Sequence, residues 1–230
     1  RRADHGEVRS YTLDWEEPSM GRTEGSVKTV ITAGLALILT ACGQGPSASD
    51  NAPVPSDHSV VEALTALRVS GDEVEPYVGF AEMGESADVV AWASMTSVAG
   101  VRAVGGGPAE GDTAYLLQVV VTPERANPQS GPLTMELMMP SATAKDAAVE
   151  ADRISQRLPS EPLLLFLRDK GGGETGLYRP VNSRGLWLDS PDGPQAPLAD
   201  EDLTKDPRYG PRLKQSGSVA GLAAEVLESD

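Results

Sequence analysis

The sequence predicts an α+β fold, in which a small antiparallel β-barrel of about six strands carries an N-terminal, a middle and a C-terminal helix. Two observations favour this fold. Short apolar or alternating segments, separated by turn residues, recur in hairpin-like order between residues 87 and 189. Segments with apolar residues at helical spacing stand before, among and after them. Short antiparallel strands with a few helices are typical of small barrels and sandwiches.

Three segments are predicted helices. Residues 59–69 (SVVEALTALRV) place apolar side chains three and four positions apart, and Gly71 ends the pattern. Residues 142–158 repeat that spacing more weakly, with Ile154 on the apolar face. Residues 218–227 (SVAGLAAEVL) predict a terminal helix. The three segments account for the N-terminal, middle and C-terminal helices.

Six further segments are predicted strands, because they are rich in β-branched and apolar residues and are bounded by turn residues. Residues 133–139 alternate apolar and polar side chains, which predicts a half-buried strand, whereas the uniformly apolar residues 162–168 predict a buried one. A shorter segment, residues 76–80, is expected to form a strand or a turn. The six predicted strands are residues 87–98, 114–121, 133–139, 162–168, 177–181 and 185–189.

The N-terminal part of the chain carries a different signal. Residues 30–39 form an uncharged apolar run of ten residues, which follows Arg22 and Lys28 and ends in Leu39-Thr40-Ala41-Cys42. This run has the length of a secretory apolar region and is too short for a transmembrane helix, which needs about 20 residues. The alternative interpretation is a buried core helix that ends in a stray cysteine.

Residues 20–43 resemble the signal peptide and lipobox of bacterial lipoproteins. The resemblance implies cleavage between Ala41 and Cys42, attachment of a diacylglycerol to the Cys42 thiol, and further acylation of the new amine. Two or more acyl chains anchor a protein stably, so the expected location is extracytoplasmic, with the protein lipid-anchored to the cell membrane. Cys42 is the only cysteine of the chain, and the resemblance assigns it to anchoring.

These features divide the chain into four parts. Residues 1–19 are interpreted as a non-native extension upstream of Met20, or alternatively as a cytoplasmic extension without a fold. Residues 20–41 are the predicted signal peptide. Residues 42–57 comprise the lipidated cysteine and a Gly-, Pro- and Ser-rich tether. Residues 58–230 are long enough for a single globular domain with its own core.

Charge argues against one class of partner. From Cys42 onward the chain has 14 Lys and Arg residues against 28 Asp and Glu, and the basic residues are scattered. Such a surface repels phosphate backbones, so we expect no nucleic-acid partner. For the same reason, the membrane contact is expected to be the lipid on Cys42 and not an electrostatic one.

A second resemblance concerns the predicted domain. The segments ADVVAWASMTSV, LLQVVVTPE, LLLFLRDK and GLYRPVNSRGLW, between residues 87 and 198, are similar to those of an uncharacterised group of bacterial exported proteins. That group has a small barrel similar to an OB-fold, so the resemblance implies an OB-like barrel here. Ala93 stands where the group's pattern has glycine. The group has no agreed activity, so the resemblance assigns no catalytic residue.

The chain lacks several kinds of catalytic chemistry. After the predicted cleavage site it has one histidine, His58, which lies at the edge of the tether. Ser-His-Asp and Cys-His sites therefore have no suitable base, and zinc or other transition-metal sites have too few ligands. Accordingly, we predict no catalytic residue, no metal and no cofactor.

Two motifs have an enzymatic interpretation and a simpler one. Residues 171–176 (GGGETG) match the letters of a dinucleotide-binding loop, but a strand-like segment follows where that motif needs a helix, so a hairpin turn is predicted. Carboxylates cluster at Asp200-Glu201-Asp202 and at Asp189 with Asp192. They could hold calcium or serve glycoside hydrolysis, but neither cluster has the spacing of a calcium loop, so solvated surface loops are the preferred interpretation.

Aromatic side chains are expected mainly in the core. All five lie within predicted strands, which favours core positions: Trp92, Tyr115, Phe166, Tyr178 and Trp187. Tyr178 and Trp187 also lie near loops and could line a groove. The first hypothesis is therefore a non-enzymatic envelope lipoprotein that binds a protein, peptide or glycan. The second is a carboxylate-dependent hydrolase of cell-wall polymer or glycan, and the third is a structural component without a small ligand.

Overall fold

Seven strands and five helices make up the described part of the chain, which comprises residues 57–68, 77, 79–105, 113–170 and 176–228. In chain order the elements are α1 (Asp57–Thr65), α2 (Phe80–Ser86), β1 (Val89–Val104), β2 (Ala114–Asn127), β3 (Leu133–Met139), α3 (Ala144–Ser155), β4 (Leu163–Asp169), β5 (Leu177–Pro180), β6 (Leu186–Ser190), β7 (Gly193–Gln195), α4 (Gly210–Ser216) and α5 (Val219–Glu228). All of these residues belong to one compact unit. No helix in the described ranges is long and apolar enough to cross a membrane.

Five of the strands form a ring. The pairing order is β1-β2-β3-β5-β4, and β4 pairs back onto the first residues of β1, with Val89 opposite Leu167. Strand β6 adds to β4, and β7 adds to β6. The pairing of β3 with β5 is parallel, whereas the other pairings are antiparallel. A parallel pair needs a long crossover, and α3 with β4 provides it.

The predicted α+β class is confirmed, but two details of the sheet prediction were wrong. The sheet has seven strands where about six were expected, and its pairing is mixed where a wholly antiparallel pattern was expected. The added strand, β7, consists of only Gly-Pro-Gln, which has neither alternation nor β-branched residues. The parallel contact involves only Thr134–Leu177 and Met135–Tyr178, and no local sequence pattern specifies such a pairing.

The interior of the ring holds the larger apolar core. It is formed by alternate residues of each strand, for example Leu117 and Val119 of β2 and Met135 and Leu137 of β3, all of which are at most 2% exposed. Helix α3 adds Ile154 to the same core. This helix begins where the Thr143 hydroxyl accepts a hydrogen bond from the Asp146 backbone N–H at 3.2 Å.

A second apolar cluster lies on the outer side of the sheet, at β1, β4 and β6. Strand β4 is therefore buried on both faces, as its uniformly apolar sequence predicts. Phe80 of α2 is central to the cluster, because its ring centroid lies 5.0 Å from that of Trp187 and 5.2 Å from that of Tyr209. The cluster comprises Tyr77, Phe80, Met83, Val90, Leu164, Phe166, Trp187, Ala199, Leu203, Tyr209, Leu213, Val219, Leu222 and Ala223.

The three predicted helices and the six predicted strands are present, and all except β3 have shifted ends. The structure adds α2 and α4, each of seven residues, which the sequence did not predict. The expectation of a strand or turn at residues 76–80 was wrong at its described end, because Phe80 begins α2. Burial of Phe80 and Met83 stabilises this short helix despite the glycine at position 84.

Candidate functional site

The outer side of the ring has a second face, which the helical cluster does not cover. No residue of that cluster comes from β2 or β3, among the residues that the structure describes. Because neighbouring residues alternate between faces, Leu116, Gln118 and Val120 of β2 point away from the core, next to Thr134, Glu136 and Met138 of β3. We call these six residues, with Arg102 of β1 and Lys170 after β4, the open face.

Glu136 lies at the centre of the open face and is buried, with only 3% of its side chain exposed. Arg102 donates from Nε to Glu136 Oε1 at 2.7 Å and from Nη2 to Oε2 at 2.8 Å. Gln118 Nε2 donates to Oε1 at 3.1 Å, and Lys170 Nζ lies 3.2 Å from Oε2. A buried carboxylate needs such partners because isolated burial of a charge is very costly.

The strand register brings these side chains together. Gln118 is directly opposite Glu136 on one side and opposite Gly100 of β1 on the other. Gly100 contributes no side chain and follows a bulge, and its φ of +154° is strained for other residues. Arg102 is therefore the next β1 side chain on this face, and it reaches Glu136 diagonally. The Lys170 N–H donates to the Leu177 carbonyl, which holds Lys170 near β3.

Two apolar side chains lie beside this polar cluster. Leu116 is opposite Arg102 on one side and opposite Met138 on the other. Met138 is 46% exposed and is, with Val149 of α3, one of two exposed large apolar residues in the described part of the chain. The open face therefore offers both a neutralised charge cluster and an adjacent flexible apolar contact.

A cavity of about 360 Å³ lies between the end of α1, the β6–β7 hairpin and the segment that follows it. Its volume is at the lower end of the range for small-molecule sites. The cavity brings together Asp192, Asp200, Glu201 and Asp202, four of the five predicted cluster carboxylates. The complete set of described lining residues is Thr65, Arg68, Trp187, Asp192, Pro194, Gln195, Ala196, Pro197, Asp200, Glu201, Asp202, Leu203 and Thr204.

The fifth carboxylate, Asp189, has a structural role. Both of its carboxylate oxygens accept from the Val219 backbone N–H, at 2.9 and 3.0 Å, where α5 begins. An acidic side chain at this position satisfies a free N–H and interacts favourably with the helix dipole. The sequence pattern that paired Asp189 with Asp192 therefore does not correspond to one site.

Three of the cavity carboxylates are ion-paired. Hydrogen bonds from Lys205 and Thr204 lower the pKa of Asp202 to about 2. Glu201 Oε1 accepts from Arg184 Nε at 3.0 Å, and Asp200 Oδ1 lies 3.5 Å from Arg68 Nε. A general acid for glycoside hydrolysis needs a raised pKa, which is the opposite of the shift at Asp202.

The aromatic residues occupy mostly core positions. Phe166 and Tyr115 are buried and Trp92 packs partly buried against the outer cluster, as expected for core residues. Trp187 is fully buried, as expected for a core residue, and it also contributes to the cavity wall. Tyr178 is partly buried and packs against the core inside the ring.

Several predicted features fall outside the described residues. They include Ala41, Cys42, the signal peptide, residues 1–19 and most of the tether. Of the glycine-rich segment, Gly176 is described, and a strand that is antiparallel to β4 follows it, which agrees with a hairpin and not with a dinucleotide-binding loop. His58 lies in α1.

Neither metal chemistry nor relatedness assigns a function. Within the described ranges, no group of three or more His, Cys, Asp or Glu residues is placed to hold a metal ion. No protein-family profile, curated protein or solved structure matches the chain.

Proposed function

We propose that this chain is a lipid-anchored, extracytoplasmic binding module with an OB-like barrel, which holds a protein, peptide or glycan of the bacterial envelope on its open face. The strand order β1-β2-β3-β5-β4 with closure onto β1 supports the OB-like assignment. A helix between β3 and β4, here α3, fits the same topology. OB-folds bind through the face of their second and third strands.

The observation that carries the binding function is the uneven cover of the ring. Helices α2, α4 and α5, together with Tyr209, bury the outer residues of β4 and β6, such as Phe166. On β3, by contrast, Met138 is 46% exposed and lies beside the Arg102–Glu136 pair. Methionine and arginine are enriched at protein interfaces, so an exposed methionine beside a fixed arginine–glutamate pair favours a recognition surface at this place.

The anchoring part of the proposal rests on the lipobox, in which Cys42 receives the lipid after cleavage at Ala41. The test compares the wild-type chain with Cys42→Ser in a bacterium that carries the lipoprotein pathway. We expect the wild type to incorporate labelled fatty acid and to sediment with membranes. Cys42→Ser is expected to lose the label. A labelled Cys42→Ser protein, or an unlabelled wild type, would refute the lipid anchor.

The binding part is tested with purified cell-wall sacculi, which contain both glycan and peptide. We expect the chain to co-sediment with sacculi, and Met138→Glu to reduce the bound fraction at least about fivefold, because it places a charge in a contact that excludes water. Val149→Glu is the matched control, since Val149 is 63% exposed and belongs to α3, which contributes no residue to the open face. Absence of co-sedimentation, or equal loss in both variants, would count against the open face as the binding surface.

A carboxylate-dependent hydrolase remains the alternative function, and the cavity is the observation in its favour. Four carboxylates contribute to its wall. The ion pairs of Glu201, Asp200 and Asp202 argue against it, because an acid–base pair needs one carboxyl that stays protonated near neutral pH. Release of soluble sugars or muropeptides from sacculi, lost in Asp192→Asn, would favour the hydrolase over the binding module.

A further inference from the structure

We infer that the cavity beside the β6–β7 hairpin is a second binding site, and that it takes a single sugar unit that is neutral or carries an amine. The cavity shares no residue with the open face, so its ligand is independent of the envelope partner proposed above. Its volume of about 360 Å³ accommodates one six-membered ring with its hydroxyl groups but no long chain.

The cavity wall has hydrogen-bonding capacity that the protein does not use. Within the described part of the chain, the side chains of Thr65, Asp192 and Gln195 make no hydrogen bond or ion pair with another residue. Both donors and acceptors are therefore available, and sugar hydroxyls, which donate and accept, match such a mixed set.

The remaining wall is apolar and rigid. Its members are Pro194, Ala196, Pro197, Leu203 and the buried Trp187. The Pro197 carbonyl accepts from Arg68 Nη2 at 3.3 Å, which fixes the arginine at the cavity edge. Apolar walls with a few polar groups are typical of small-ligand sites, because the apolar part contacts the ring and the polar groups orient it.

Charge selects among sugars. Glu201 is paired with Arg184, Asp202 with Lys205 and Asp200 with Arg68, which leaves the Asp192 carboxylate as the unpaired charge. A sugar phosphate or a uronic acid would be repelled by this one unpaired carboxylate, so we expect anionic sugars to bind more weakly than neutral ones. A protonated amine would form an ion pair with Asp192. Because this pair is exposed to solvent, we expect glucosamine to bind only about threefold more tightly than glucose.

The test is a saturation-transfer NMR titration of the full chain, kept in a detergent without a sugar headgroup, with glucosamine, glucose and glucose 6-phosphate. We expect saturable glucosamine binding in the millimolar range, as befits a ligand of about twelve non-hydrogen atoms. Glucose is expected to bind about threefold more weakly, and glucose 6-phosphate is expected to bind more weakly still.

Two pairs of variants locate the binding. Gln195→Ala is expected to weaken glucosamine binding about fivefold, because a hydrogen bond is lost, and Asp192→Asn to remove the preference for glucosamine over glucose. The matched controls, Gln156→Ala and Asp152→Asn, change a surface pair on and just after α3 and should leave binding unchanged. Thermal melting verifies that each variant is folded.

Three outcomes would overturn the inference. The first is that neither glucose nor glucosamine shows saturable binding. The second is that glucose 6-phosphate binds as tightly as glucose. The third is that a folded Gln195→Ala variant binds glucosamine as tightly as the wild type. None of them depends on lipidation or on binding to sacculi, so a failure here is distinct from a failure of the proposed function.

Discussion

Glu136→Gln is the substitution that tests the central cluster of the open face. It keeps the shape of the side chain but removes the charge that two cations and one amide now contact, at 2.7 to 3.2 Å. Removal of one partner from a fully buried ion pair costs about 3–5 kcal/mol. Here Arg102 and Lys170 keep 27% and 23% of their side chains exposed, so water compensates part of the loss. We therefore expect the free energy of unfolding to fall by about 2 kcal/mol.

The assay is urea unfolding followed by tryptophan fluorescence, which reports on Trp92 and Trp187 in the outer cluster. For a domain of this size, a loss of about 2 kcal/mol lowers Tm by about 4–8 °C. Glu161→Gln is the matched control, because Glu161 is exposed and should change the stability by less than about 0.5 kcal/mol. A double-mutant cycle with Arg102→Met should give a coupling free energy of about 1–2 kcal/mol.

The reasoning would be refuted if Glu136→Gln were as harmless as Glu161→Gln, since a carboxylate with only 3% exposure would then need no pairing. A coupling free energy near zero would also refute it, because the loss would then come from Glu136 alone. A loss that is identical at low and high salt would agree with the buried geometry, since ions screen buried pairs weakly.

Three other predictions follow from local contacts. Thr143→Ala removes the hydroxyl acceptor at the start of α3 and should lower the unfolding free energy by about 1 kcal/mol in urea titrations. A hydrogen bond from Arg208 lowers the pKa of Asp206 to about 2; NMR titration should detect this value and a return toward about 3.9 in Arg208→Ala. The stabilisation from this contact is present above the unfolded pKa and is lost as the pH falls toward 2. Gly210→Ala should destabilise the protein, because its Cβ would clash with a backbone carbonyl, whereas Gly84→Ala in open space should stabilise it by about 0.5–1 kcal/mol, as thermal melts can verify.

Period and composition predicted the elements whose burial follows a simple pattern. Residues 133–137 alternate apolar and polar side chains, and β3 has the predicted bounds, Leu133–Met139, in the structure. Helices α1, α3 and α5 are present within a few residues of their predicted ranges. Helix α4 was missed because it lies within a Pro- and Asp-rich stretch, and seven residues are too few for a helical period. Tertiary contacts of Leu213, not local propensity, hold this helix in place.

The polar cluster was beyond local prediction for a different reason. The alternation of β3 places Glu136 on the polar side of the strand, from which an exposed carboxylate would be expected. Its burial depends on Arg102 and Gln118, which are 34 and 18 residues away in the chain. Only the pairing of β1, β2 and β3, and the absence of a side chain at Gly100, bring these groups into contact. A single charge in a short apolar strand is the one local sign of such a site.

The difference between the two outer faces can, however, be read from the strands themselves. Outward positions of β4 and β6 are occupied by Leu164, Phe166 and Trp187, which could not remain in water without a large cost, and the C-terminal helices cover them. Outward positions of β2 and β3 include Gln118 and Glu136, which need no apolar cover. A helix that packed there would have to desolvate Arg102 and Lys170, which keep 27% and 23% of their side chains exposed beside the buried Glu136, so the chain leaves this face open. The surface that is free for a partner is therefore set by strand composition, and the C-terminal helices close the other side.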